Sequence, residues 1–149
     1  MNAGAYDGCM ADVLESVDVL TREGTLATLR VNELELGYRT SRVRTEGLVV
    51  LRARIRLVPG DRDEIRAKMD DLTRRREDKQ PLEYGSAGST FKRPEGYFAG
   101  KLIMDAGLKG YRVGNACVST KHAGFVVNLG GATAADVHAV ISHVQDEVE

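Results

Sequence analysis

The stretch LVVLRARIRLVPGDRDEIRAKMDDLTRRR, Leu48–Arg76, changes its period halfway along, and that change sets the fold class. From Leu48 to Leu57 the pattern alternates. Val49, Leu51, Ala53, Ile55 and Leu57 fall on one side and Arg52, Arg54 and Arg56 on the other, as on a half-buried strand. Pro59-Gly60-Asp61 breaks it. Asp61 with Glu64 then gives a capping-box pattern ahead of Ile65, Met69 and Leu72, which predicts a helix from about Asp61 to Arg76. The arginine stripe fits a solvated strand face or pairing with acidic neighbours as well as it fits a polyanion site. Arg74-Arg75-Arg76 suits the negative end of the helix dipole, and without a stacking aromatic it makes a poor nucleic-acid motif.

Upstream, Val13–Leu20 and Thr25–Leu29 flank Thr-Arg-Glu-Gly, a hairpin arrangement in which Gly24 can take positive φ. The opening Asn2–Gly8, NAGAYDG, is rich in small residues and reads as a loop whose backbone approaches another group, or as a mobile terminus. Downstream, Tyr84–Thr90 is crowded with Gly and Ser and reads as a loop. A short helix around Gly96–Ala106 stops at Gly107, and strands follow near Tyr111–Val118 and Phe125–Asn128. Gly130-Gly131 turns the chain. Thr133 and Asp136 then cap a last helix with Val137, Val140, Ile141, Val144 and Val148 at helical spacing. A β-rich first part followed by α, β, β, α is an α+β protein.

At 149 residues and 42% hydrophobic content the chain builds one ordinary domain or two small ones. Twenty-one basic residues against 22 acidic ones leave a net charge of -1, so no global field draws nucleic acid or an anionic membrane, and an anionic ligand needs a local cluster. Apolar runs are short, no leader pattern stands at the start, and a cytoplasmic location is the default. Cys9 and Cys117 show no CxxC spacing, and His122, His138 and His143 complete no metal set with them. His138 and His143 are expected at the surface.

Three residues in two blocks stand out. Ser89 sits in Gly88-Ser89-Thr90-Phe91-Lys92-Arg93-Pro94, and Tyr38-Arg39 in LELGYRTSRVR, Leu34–Arg44. Taken alone, Ser89 is a turn or cap serine more often than a catalyst, and Arg39 is a surface or ion-paired arginine. In collinear order, however, these blocks, the long segment Lys79–Asn128 and the opening NAGAYDG resemble the UDP-N-acetylenolpyruvoylglucosamine reductase (UDP-N-acetylmuramate dehydrogenase) family in its compact second type. The resemblance implies the C-terminal half of a flavin-binding α/β domain over residues 1–58, followed by a small α/β substrate-binding domain over 59–149.

The resemblance also implies roles. Ser89 matches the serine that protonates the reaction intermediate, and Arg39 the arginine that approaches the enolpyruvyl group. Tyr38, Lys79 and Arg93 match substrate-binding positions, with Lys79 near the nucleotide diphosphate, and Asn2, Ala3 and Gly4 match the flavin-side loop. The implied activity is FAD-dependent reduction of UDP-N-acetylglucosamine enolpyruvate to UDP-N-acetylmuramate, with NADPH as cosubstrate, in peptidoglycan synthesis. No metal, nucleic acid or membrane enters it.

Arg93 stands where many relatives have asparagine, although arginine is common in the compact type. Gly85 and Met104 replace a proline and an acid or amide of relatives, and His122 is read as structural. The family's Gly-rich flavin-pyrophosphate loop is expected ahead of Asn2. Its third catalytic group, a glutamate, is expected beyond Glu149, since Glu147 and Glu149 lie within the helix-end sequence. The chain therefore reads as a piece truncated at both ends that does not hold FAD stoichiometrically by itself. The alternative is a UDP-sugar-binding module without redox chemistry, or a structural remnant.

Overall fold

The computed structural model describes residues 1–148, and it divides into two compact units, Met1–Arg66 and a second beginning at Ala67. In the first, β1 (Gly4–Ala5) and β2 (Gly8–Cys9) form a small hairpin. Tyr6 and Asp7, both at positive φ, make the two-residue turn whose twist matches such a hairpin. β3 (Leu14–Leu20) and β4 (Leu26–Arg30) are the expected antiparallel pair, with Gly24 at φ +78° in the turn. After the short helix α1 (Arg42–Thr45), β5 (Val49–Ile55) adds antiparallel to the other side of β3. The order is β4-β3-β5. Val17, Val19, Leu29 and Leu34 form the core, with Leu36, Val43 and Leu48 packed against them.

β5 departs from the half-buried strand that its alternation predicts, because every residue in it is exposed. It is an edge strand with β3 alone beside it. Its register also slips: Asp18 faces Arg52 and Val19 faces Val50, which leaves Leu51 as the extra residue of a bulge. Beyond the bulge Val50, rather than Val49 or Leu51, sits opposite the buried Val19. The arginines follow the acidic-neighbour reading, since Arg56 pairs with Glu15 at 2.8 Å and Arg52 approaches Asp18 at 3.9 Å.

α2 (Arg62–Lys79) starts where the sequence places it, with Asp61 Oδ1 accepting the Asp63 and Glu64 amides at 2.9 and 3.0 Å. Its Ile65 and Met69 remain exposed. In the second unit, β6 (Gly85–Ser89), β7 (Arg112–Val113), β8 (Ala116–Val118) and β9 (Phe125–Asn128) form an antiparallel sheet in the order β6-β9-β8-β7. α3 (Ala99–Asp105) and α4 (Ala134–Val148) join one core with this sheet, built on Ile103, Leu108, Ala116, Val118, Val126, Val140 and Val144. Cys117, Phe125 and Val127 make a second cluster, where burial pushes the Cys117 thiol up against the opposing effect of Arg112.

Both helix ends are written in sequence. Gly107 takes φ +74°, and the Gly107 and Leu108 amides donate to the Met104 and Ile103 carbonyls, a Schellman closure that brings Leu108 onto Ile103 in the core. At α4, Asp136 Oδ2 accepts the Thr133 amide at 2.9 Å and Thr133 Oγ1 accepts the Asp136 amide at 3.1 Å.

β6 is a correction. The Gly- and Ser-rich segment expected as a loop is a strand paired with β9, with a bulge between Ser86 and Ser89. Gly88 supplies φ +89° there, and Ser86 Oγ accepts the Gly88 amide while donating to the Val126 carbonyl. A hydroxyl and a glycine thus replace the ladder bonds that the bulge interrupts.

Candidate active site

Ser89 closes β6 opposite Phe125. The next residue is tied twice: the Thr90 amide donates to the Gly124 carbonyl at 2.9 Å, and Thr90 Oγ1 accepts the Val126 amide at 3.2 Å. The Ser89 backbone is fixed, while its hydroxyl is exposed and has no hydrogen-bond partner among the described residues. Such a hydroxyl is able to donate to an incoming group. Gly124 lies beside it, and a Cβ there would stand 3.6 Å from Ser89 Oγ and 3.0 Å from His122 Cε1.

Arg93 follows on the same segment, with its guanidinium carbon 4.8 Å from the centre of the exposed Phe98 ring. Lys79 is the last residue of α2 and is exposed. The end of that helix is anchored by Lys121, whose Nζ donates to the Glu77 carbonyl at 2.7 Å. The second unit thus carries Ser89, Arg93 and Lys79.

Tyr38, Arg39 and Asn2–Gly4 belong to the first unit. Tyr38 and Arg39 are the central residues of a tight turn closed by reciprocal Gly37–Thr40 backbone bonds at 3.3 Å. Arg39 has φ +56°, a left-handed conformation that a non-glycine residue adopts at a cost of about 1–2 kcal/mol. Its Cζ lies 5.4 Å from the centre of the Tyr38 ring.

The opening segment reaches the same region, because the Met1 backbone nitrogen donates to Ser41 Oγ at 3.1 Å. Asn2 Oδ1 accepts the Ala11 amide at 3.0 Å, so its side chain already secures the segment. At Gly4 a Cβ would meet the Gly8 carbonyl at 3.0 Å, a requirement of the hairpin itself. Ala3 and Gly4 are exposed and small. Among the described residues no cluster of His, Cys, Asp and Glu suits a metal ion, and no helix is long and apolar enough to cross a membrane.

His122 is the neighbour that motif reading leaves as structural. It sits between the Lys79 helix end, through the adjacent Lys121, and Ser89, through Gly124. The usable signal is the His-Ala-Gly spacing, which lets a side chain accept the amide two residues on.

A mixed α+β protein with a pinned, exposed serine in one unit and a strained arginine turn in the other is the class that the fold and these sites define. Residues 80–149 match the family model described as UDP-N-acetylenolpyruvoylglucosamine reductase, C-terminal domain. Over all 149 residues the chain is 60% identical to UDP-N-acetylenolpyruvoylglucosamine reductase of Clostridium beijerinckii (strain ATCC 51743 / NCIMB 8052) and 61% identical to that of Clostridium perfringens (strain SM101 / Type A), covering 49% of each. Among solved structures, UDP-N-acetylenolpyruvylglucosamine reductase from Thermus caldophilus superposes with a TM-score of 0.88 at 44% identity, over 99% of this chain and 54% of that one. Over its whole length the chain is similar to UDP-N-acetylenolpyruvoylglucosamine reductases, and it spans about half the length of the curated relatives it matches.

Proposed function

We propose that this chain supplies the substrate-side chemistry of a flavin-dependent reductase that converts UDP-N-acetylglucosamine enolpyruvate to UDP-N-acetylmuramate with NADPH, a cytoplasmic step of peptidoglycan synthesis. The observation that carries the reading is the exposed Ser89 hydroxyl on a backbone pinned through Thr90. In this reading residues 1–58 belong to the flavin-binding domain and residues 59–149 to the substrate-binding domain.

Ala3 and Gly4 would lie against the flavin, with Asn2 securing their segment. When bound, the reduced flavin supplies hydride to the terminal carbon of the enolpyruvyl ether. The substrate then carries enolate character beside a carboxylate, and two negative charges need a partner. Arg39, permanently charged and able to bind a carboxylate through two N–H groups, stabilises them. Ser89 donates its proton to the α carbon, which a hydroxyl does once held in line with a basic enolate carbon. Lys79 serves the diphosphate as a compact cation, and Arg93 and Tyr38 bind neighbouring parts of the substrate.

Stopped-flow absorbance of the flavin-loaded, full-length counterpart of this chain tests this. Ser89→Ala is expected to leave flavin reduction by NADPH unchanged and to slow reoxidation by the enolpyruvyl substrate by about 10²- to 10⁴-fold, with cysteine retaining more activity than alanine. Slowed reduction with unchanged reoxidation would remove Ser89 from the proton-donor role.

A further inference from the structure

We infer that His122 is a positioning residue for Ser89, acting through its Nδ1 as a hydrogen-bond acceptor; the inference deepens the proposed function and rests on it for the reaction concerned. His122 is half-buried in the turn between β8 and β9. Its Nδ1 accepts the Gly124 amide at 3.1 Å, and its carbonyl accepts the Phe125 amide at 3.0 Å. One residue therefore fixes the two that hold Ser89: the Gly124 carbonyl receives the Thr90 amide, and Phe125 is the register partner of Ser89.

The geometry also fixes the tautomer. A ring nitrogen that accepts an amide hydrogen carries no proton, so the neutral ring bears its hydrogen on Nε2. Two glycines make room for this arrangement. A Cβ at Gly124 would meet the ring at 3.0 Å and one at Gly100 would meet it at 3.4 Å, so the ring fills space that any larger residue would take. From below, buried Ser119 accepts the Lys121 and His122 amides on its Oγ at 3.2 Å each. The turn is thus braced on both sides of His122, and the imidazole nitrogen is its link to the serine strand.

A second role is available to the same ring, since it meets Phe125 edge-on at 4.9 Å between centres. Packing and acceptance are separable by substitution. His122→Asn keeps an acceptor that reaches the amide two residues on and loses the aromatic ring. His122→Phe keeps the ring and loses the acceptor.

Two readouts are needed. Amide hydrogen exchange at Gly124 and Thr90, followed by NMR in the full chain, is expected to accelerate about tenfold or more in His122→Phe and to stay near wild type in His122→Asn, the loss of one net hydrogen bond. In the flavin-loaded, full-length counterpart, reoxidation by the enolpyruvyl substrate is expected to slow by about 10²-fold in His122→Phe with KM little changed, as for a misplaced catalytic group, and to recover in His122→Asn. Equal behaviour of the two variants, or rescue by phenylalanine and not by asparagine, would overturn the inference. If Ser89→Ala leaves reoxidation untouched, the proposed function fails separately, and the exchange experiment still judges the link from His122 to Thr90.

Discussion

Ile103 and Ile55 carry the same side chain into opposite surroundings. Ile103 on α3 is 2% exposed, whereas Ile55 at the end of β5 is 50% exposed. Ile55 belongs to the alternation read at Val49–Leu57, and Ile103 to the short helix expected around Gly96–Ala106. What separates them is a second surface: α3 and α4 share one core with their sheet, while β5 is an edge strand paired only with β3. Periodicity identifies the face that an element offers. It does not say what covers that face.

The largest test of this contrast is a matched pair of truncations. Ile103→Ala is expected to destabilise by about 2–5 kcal/mol through lost burial and the cavity left behind. Ile55→Ala is expected to cost no more than about 1 kcal/mol, because roughly half of its surface already meets water. Denaturant midpoints would measure both, and equal shifts would mean that Ile55 is covered in solution.

A smaller effect sharpens the second unit alone. Removing the reciprocal cap with Thr133→Ala is expected to lower stability by about 1 kcal/mol in the same assay. The hydrogen bonds from Thr133, its backbone amide first, hold the Asp136 carboxyl below its ordinary pKa of 3.8. A depressed pKa means that the folded form favours the ionised state. The contribution is therefore whole above the ordinary value and fades as pH falls below it. Stability measured against pH should lose this acid-side slope in Asp136→Asn, and an unchanged slope would place its source elsewhere.

The smallest effect lies just beyond the end of β5. Arg56→Ala breaks a 2.8 Å pair with Glu15 whose two side chains are exposed, so the change is expected to stay within about 0.5 kcal/mol and to shrink with salt. A larger loss would show that the first unit's edge depends on its charges.

Legibility followed the same divide. Asp61, Gly107 and Thr133 mark helix ends through local chemistry, and each is found at the boundary it predicts. Val140 and Val144 are buried as their spacing requires. The strand at Gly85–Ser89 was hidden because its composition favours turns, and only pairing with β9 across a bulge makes it regular. The Leu51 bulge was hidden likewise, since register is set between strands. Ser89 and Arg39 could be proposed from collinear motifs. His122 could not be tied to Ser89, because that link passes through the backbone of Gly124 and Thr90.

The left-handed turn at Arg39 has an evolutionary consequence. Selection on stability alone would favour glycine or asparagine at such a position, since both adopt that backbone with less strain. Under the proposed function, an arginine at this position trades some folding stability for a charged partner to the substrate. Replacement by glycine would relax the backbone and remove the guanidinium in one step, so under the proposed function stabilising drift at this site and loss of the anion partner are the same mutation.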